Sequence, residues 1–281
     1  MFVDLGQPSR VMNVFLYPSP TSVLFWDMLV LNGYLLLNIV IGWTVLSSHR
    51  QGIPAPGWVR PLIYLSIPLA ISIHTVTAFI YAGLPGRSFW LTAIMAPRFL
   101  ASAFASGPAL LILLCLVLKR FARFDAGEKA IGALAKIVAY ALATSIFFVL
   151  VELFTAFYGR IPEHMHHFEY LFVGLNGQAM IARSMALAAV LAVVALVLLL
   201  LPETRKREPF LALACGATFL ALWIEKGLGL VVTGFIPSPL GEVTRYSPTG
   251  PELAITLGIW ALGFLILTGL YKIFVSVKAE Q

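Results

Sequence analysis

Apolar residues run along this chain in long blocks, without the two-residue alternation of half-buried strands. Blocks at residues 28–48, 62–82, 99–118, 137–158, 184–201, 210–233 and 253–271 each approach the roughly 20 helical residues that a bilayer core of about 30 Å requires. Helix is the spanning form that suits such runs, because hydrocarbon offers the backbone no other hydrogen-bond partners. The pattern predicts an all-α integral membrane protein, a single bundle of about seven transmembrane helices over residues 1–281. Composition agrees: 60% of residues are apolar and 11% are charged.

Charge sets the expected orientation. Arg50, Arg60, Lys119, Arg120, Arg123, Lys129, Lys136, Arg205, Lys206, Arg207, Lys272 and Lys278 all fall on one side of the spans. Half as many basic residues fall on the other: Arg10, Arg87, Arg98, Arg160, Arg183 and Arg245. Cytoplasmic loops carry the excess of Lys and Arg, so the N-terminus is expected outside and the C-terminus in the cytoplasm, within the cytoplasmic (inner) membrane. This assigns the net charge of +6 to topology, and no nucleic-acid partner is expected. Residues 1–20 lack the basic start and apolar core of a secretory signal. An outside N-terminus without a leader is expected if preceding helices are absent here or carried by another polypeptide.

Four ionisable residues lie well inside apolar blocks: His74, Glu152, Glu225 and Lys226. On helices rising about 1.5 Å per residue they sit roughly a dozen ångströms below the outer face. Charge in hydrocarbon is costly unless paired or hydrated, so such residues point to a functional cavity open to that side. The cytoplasmic half holds only neutral polar groups, such as Asn32, Asn38, Ser66, Tyr140, Thr144 and Ser145. Proton exchange is therefore expected with the outer compartment, and pumping stays open.

The expected outer loops are long and rich in Pro, Gly and aromatic residues, a composition that makes rigid, function-bearing connections. They contain Asp4-Leu-Gly-Gln-Pro-Ser-Arg10, Ser19-Pro-Thr-Ser-Val-Leu-Phe-Trp-Asp27, the segment from His74 to Trp90, and Ala96-Pro-Arg-Phe-Leu100 with Ser106-Gly107. Glu225-Lys-Gly also continues through Gly234-Phe-Ile-Pro-Ser-Pro-Leu-Gly-Glu-Val-Thr-Arg-Tyr246 to Pro251-Glu252. In these ordered motifs, over nearly its whole length, the chain resembles the NrfD/PsrC family of quinone-interacting membrane subunits. The resemblance is strongest to its ten-helix branch and the DsrP type of the sulfate-reduction complex. That branch usually carries about three more helices before the Asp4 motif, and their loss would leave the N-terminus outside.

The resemblance implies a quinone-reactive subunit, non-catalytic alone, that binds menaquinone or a related quinone near the outer face. It also implies a ferredoxin-like iron–sulfur subunit docked there, with other membrane and cytochrome subunits completing a respiratory complex in the lipid bilayer. Neither haem nor an iron–sulfur cluster is expected in this chain. The residues agree on their own account: Cys115 and Cys215 are far apart, and no C-x-x-C occurs. His74 is the only embedded histidine, where haem b would want two. His164, His166 and His167 form an H-x-H-H group that reads as an exposed loop touching a partner rather than a metal site.

A quinone site needs apolar walls, a few polar groups for the ring oxygens and a route for protons. Glu152, about two turns below Arg160, is a candidate for proton exchange; its alternative is a carboxyl bonded to a neighbouring helix. His74 either bonds a quinone oxygen or clamps two helices through Ser72 and Thr75. Asp27 either caps the first span or stands at the pocket entrance. Arg98, after Pro97, either neutralises Asp27 or Glu152 or snorkels at the interface. Glu225 and Lys226 are neighbours whose side chains diverge by about 100° on a helix, so each needs its own partner; a salt bridge from Lys226 to Glu152 is one possibility. Tyr246 and Glu252 at the outer rim are secondary candidates, with loop anchoring and helix capping as their alternatives. The six tryptophans mostly flank span ends, as interfacial anchors do. Two other functions compete: a secondary transporter, which should show inverted repeats and breaks at the midplane, and a purely structural anchor.

Overall fold

The computed structural model describes residues 7–122, 125–175, 177, 180–238, 240, 242–244 and 247–279. Residues 1–6, which open the Asp4 motif, and Tyr246 lie outside the described residues. Every element formed among the described residues is helical. The main ones are α1 (Val23–Arg50), α2 (Val59–Ala82), α3 (Met95–Ala122), α4 (Glu128–Tyr158), α5 (Pro162–Phe172), α6 (Met180–Leu200), α7 (Glu208–Ile224) and α8 (Gly250–Ala279). After α7 the chain winds on as a π-helix, Glu225–Val232, and then as a short α-turn, Thr233–Phe235. Counting α7 with this continuation as one span, 7 helices among the described residues are long and apolar enough to cross a membrane. They coincide with the seven apolar blocks and extend each by several residues.

The chain divides into two compact units, residues 78–245 and the segments on either side of them. In the flanking unit, α1 packs against α8. Among its side chains, α1 buries only Asp27, Met28 and Ser48, and Leu24, Leu29, Leu31, Leu35, Leu36 and Val40 are exposed. Such exposure costs nothing where lipid is the solvent, since acyl chains are as apolar as leucine.

The central unit is a four-helix arrangement in which α3 packs on α4 and α7, and α6 packs on α7 and α4. Its core uses small side chains at the crossings: Ala105, Ala109, Ala135, Ala139, Ala214 and Cys215 are all buried. Small residues let backbones approach closely, and dispersion then replaces the hydrophobic effect that lipid removes. Leu142 and Leu199 fill the wider spaces. One end of this unit is closed by the loop after α2, by α5, and by the turn that follows the π-helix. The expected loop with the H-x-H-H group is thus the helix α5, started by Pro162 at its first position.

Candidate functional site

Four of the expected site residues come together inside the central unit. Met95 begins α3, so Arg98 lies a full turn inside the helix and is only 3% exposed. Its Nη1 bonds to Oε2 of Glu152 on α4, and its Nη2 bonds to Oε1 of Glu225 at the start of the π-helix. Both carboxylates are buried. Of Arg98's two alternatives, the geometry realises pairing with Glu152 and adds a second carboxylate.

Each carboxylate keeps one oxygen free: Oε1 of Glu152 and Oε2 of Glu225 are buried without hydrogen-bond partners among the described residues. Such groups cost more than the bonds they could make would return, so a half-used carboxylate marks a place where something else binds. Lys226 completes the group. Its Nζ stands 3.7 Å from Oε1 of Glu225, too long for a hydrogen bond, and 4.5 Å from the Phe99 ring centroid. An ammonium on an aromatic face is held by the ring quadrupole. Although they are adjacent on the chain, Glu225 and Lys226 meet in one cluster at the start of the π-helix.

An apolar cavity of about 240 Å³ reaches this cluster. Leu142, Leu150 and Leu153 of α4, Met185 and Ala189 of α6, Ala221 of α7 and Phe172 of α5 line it, and Glu225 is its only ionisable lining residue among those described. A greasy slot ending on a half-paired carboxylate has the makings of a site for an apolar molecule carrying a hydrogen-bonding ring.

A second cavity, of about 500 Å³, opens at the end of the same unit. Arg87, Ser88, Glu163, His166, His167 and Gly234 are among its lining residues. Arg87 donates to the Phe235 carbonyl at 3.3 Å and lies 4.8 Å over the Phe235 ring. His167 is buried and shares a 3.1 Å hydrogen bond with Ser88 Oγ. Burial lowers its pKa, partly offset by the nearby backbone carbonyls of Thr233 and Ile236; His164 lowers it further and Glu163 raises it. Among the described residues, no group of three or more His, Cys, Asp or Glu side chains is placed to hold a metal ion.

The remaining candidates sit in the flanking unit. Asp27 lies a turn inside α1 and is buried, where it accepts a 2.9 Å hydrogen bond from Thr77 Oγ1 instead of capping the helix. His74 is half-buried on α2. Its neighbours Ser72 and Thr75 bond to the carbonyls of Pro68 and Ile71 on their own helix. Glu252 accepts from the Thr249 backbone N–H at 2.6 Å, the carboxylate half of a capping box at the start of α8.

Trp90, Phe99 and Met185 belong to the surroundings of the cluster, and the hydrophobic pattern does not single them out. Trp90 is buried rather than an interfacial anchor. The signal available in the sequence is Gly234, a glycine beside a predicted helix end, which marks a close approach by something bulky.

The polysulphide reductase NrfD family pattern matches residues 1–236. The chain belongs to the NrfD family. It is thus a multi-pass membrane subunit of the quinone-interacting oxidoreductase type. NrfD-like relatives include a putative dimethyl sulfoxide reductase membrane subunit of Halobacterium salinarum, 27% identical over 94% of this chain and 68% of the relative. An Hdr-like menaquinol oxidoreductase integral membrane subunit of Archaeoglobus fulgidus is 22% identical over 98% of this chain and 71% of its own length. A selenate reductase subunit of Mesobacillus selenatarsenatis is 22% identical over 59% of this chain and 46% of its own length.

Proposed function

We propose that this NrfD-family subunit binds menaquinone or a related quinone with its ring at the Arg98 cluster and its tail along the apolar slot between α4, α6 and α7. The observation that carries this is the shared arginine: it leaves one oxygen on each of two buried carboxylates free, and the slot ends on one of them. A quinol hydroxyl donating to Oε2 of Glu225 would satisfy that orphan acceptor and place its proton on a bond to a base. Glu152 is the second acceptor, so the cluster offers two bases through which the two protons released on oxidation pass in turn. Lys226 and Arg98 lower the cost of negative charge on the ring oxygens. Asp27 and His74 serve proton exchange within their own unit, and Glu252 belongs to the rim.

Electrons pass to a ferredoxin-like iron–sulfur subunit docked on the extracytoplasmic face, in a complex of the DsrP type with further membrane and cytochrome subunits. The excess of basic residues on the opposite loops supports that orientation. The relative named as a menaquinol oxidoreductase subunit supports the choice of quinone.

Quinol oxidation by the purified complex tests the reading. Glu225→Gln and Glu152→Gln should each lower turnover by about 100-fold, the scale of lost general-base catalysis, and His74→Ala should lower it less. Full turnover in both glutamine variants, with the complex intact, rejects the site and leaves a structural anchor.

A further inference from the structure

Tryptophans of membrane helices gather at the interfaces, yet Trp90 is only 1% exposed. Its indole N–H donates to the Leu230 carbonyl at 2.9 Å. Leu230 is in the π-helix, five residues beyond Glu225, which is the hydrogen-bonding interval of that helix. The same indole fills the space at Gly234, where an added Cβ would come within 1.9 Å of the ring. From α6, Met185 closes on Gly229, where a Cβ would stand 2.8 Å from its sulfur. The π-helix is therefore gripped at Gly229 and Leu230, and the α-turn that follows it at Gly234.

Aromatic contacts extend the grip to the cluster itself. Trp90 meets Tyr81 edge-on at 5.0 Å between centroids, Tyr81 meets Phe99 at 5.8 Å, and Phe99 carries the Lys226 ammonium. On its other side Trp90 meets Phe235 at 5.1 Å. π winding is rare in isolation and occurs mostly where function holds it. A stretch released from its anchor would rewind toward the α form, shift Lys226 and the turn beyond it, and loosen the seating of Glu225 against Arg98.

We propose that Trp90 is a positioning residue for quinol oxidation, holding the π-helical turn so that Glu225 and Lys226 meet Arg98. The proposal rests on the assignment of proton exchange to that cluster. Trp90→Phe keeps an aromatic ring in the seat and removes the N–H donor; Gly234→Ala keeps the donor and displaces the ring. Both are made in the intact complex and assayed with a soluble menaquinol analogue. In parallel, Glu225 is labelled with a hydrophobic carbodiimide and the modified peptide quantified by mass.

In both variants turnover should fall about 10-fold, as displacement of a catalytic group by a fraction of an ångström to an ångström does. The KM for the analogue should hold, the partner subunits should co-purify, and Glu225 should label several-fold faster. In a Glu225→Gln background, Trp90→Phe should cause no further loss, because the two act as one unit. Wild-type turnover and labelling in Trp90→Phe overturns the proposal, as does an equal loss in both backgrounds or a loss of partner subunits in step with turnover. Full activity of Glu225→Gln would instead sink the underlying assignment, and the labelling rate would still report whether Trp90 holds the turn.

Discussion

The helices α3, α4, α6 and α7 run through two halves of the central unit that are built from opposite materials. One half is dry and packed by small residues, with Ala105, Ala109, Ala135, Ala139 and Ala214 at the crossings. The other holds two cations and two carboxylates, with four of their polar atoms lacking hydrogen bonds among the described residues. Close van der Waals packing suffices to join helices in lipid. Burying a charge cluster costs desolvation that apolar side chains would avoid. The alanine half thus accounts for cohesion, and on the proposed reading the charged half is kept for chemistry at some expense of stability.

Removing the shared cation should expose this difference most strongly. Arg98→Met strands two carboxylates, and losing one partner of a buried pair costs about 3–5 kcal/mol. Thermal unfolding in detergent should show a large drop. Neutralising the rest as well, in Arg98→Met with Glu152→Gln, Glu225→Gln and Lys226→Met, should recover most of the midpoint without turnover. A quadruple variant as unstable as the single one would mean that the cluster itself supplies cohesion.

Overfilling the dry half should give the converse. Ala214→Leu, at a fully packed crossing, should destabilise by about 1–3 kcal/mol, while turnover per folded complex stays at wild type. A selective loss of turnover would show that the two halves are not separable.

A smaller, pH-gated effect belongs to His167, outside the spans. Its pKa is lowered by burial, so below the ordinary histidine value near 6.5 the unfolded chain binds more protons than the folded one. Stability should be full above about 6.5 and decline as the pH falls toward the folded pKa. His167→Gln should flatten that slope in melts between about pH 5 and 7.5. The least change is expected at the other end of the unit, where Lys119 meets Glu208 at 2.6 Å in an exposed pair. Lys119→Gln should leave both the melting midpoint and turnover unchanged, since exposed pairs contribute little.

The seven spans are legible in the sequence because runs of some twenty apolar residues have few alternatives in any fold. Glu152, Glu225 and Lys226 are legible for the related reason that charge inside such a run demands explanation. Arg98 reads as a residue at the mouth of its span because the apolar run starts at Phe99, whereas the helix starts at Met95 and carries the guanidinium inward. The meeting of Glu225 and Lys226 in one cluster with Arg98 is hidden because it depends on which helices pack together, and no pattern of period 3.6 encodes the π winding that starts there. Asp27 resembles a cap because it follows a Pro-rich loop, but α1 begins at Val23 and turns it toward Thr77. His164, His166 and His167 look like loop because three polar residues break the hydrophobic run, yet a single turn with Phe168, Tyr170 and Leu171 buried is enough to seat α5.

The quartet of Arg98, Lys226, Glu152 and Glu225 is formally electroneutral. A proton taken by either carboxylate would leave one net positive charge in surroundings of low permittivity, where it repels any further proton strongly. If it exchanges protons as proposed, such a group would work like a turnstile with room for one passenger. Discharge to the aqueous side must then precede the next arrival, so the two protons of a quinol would leave in sequence and never together.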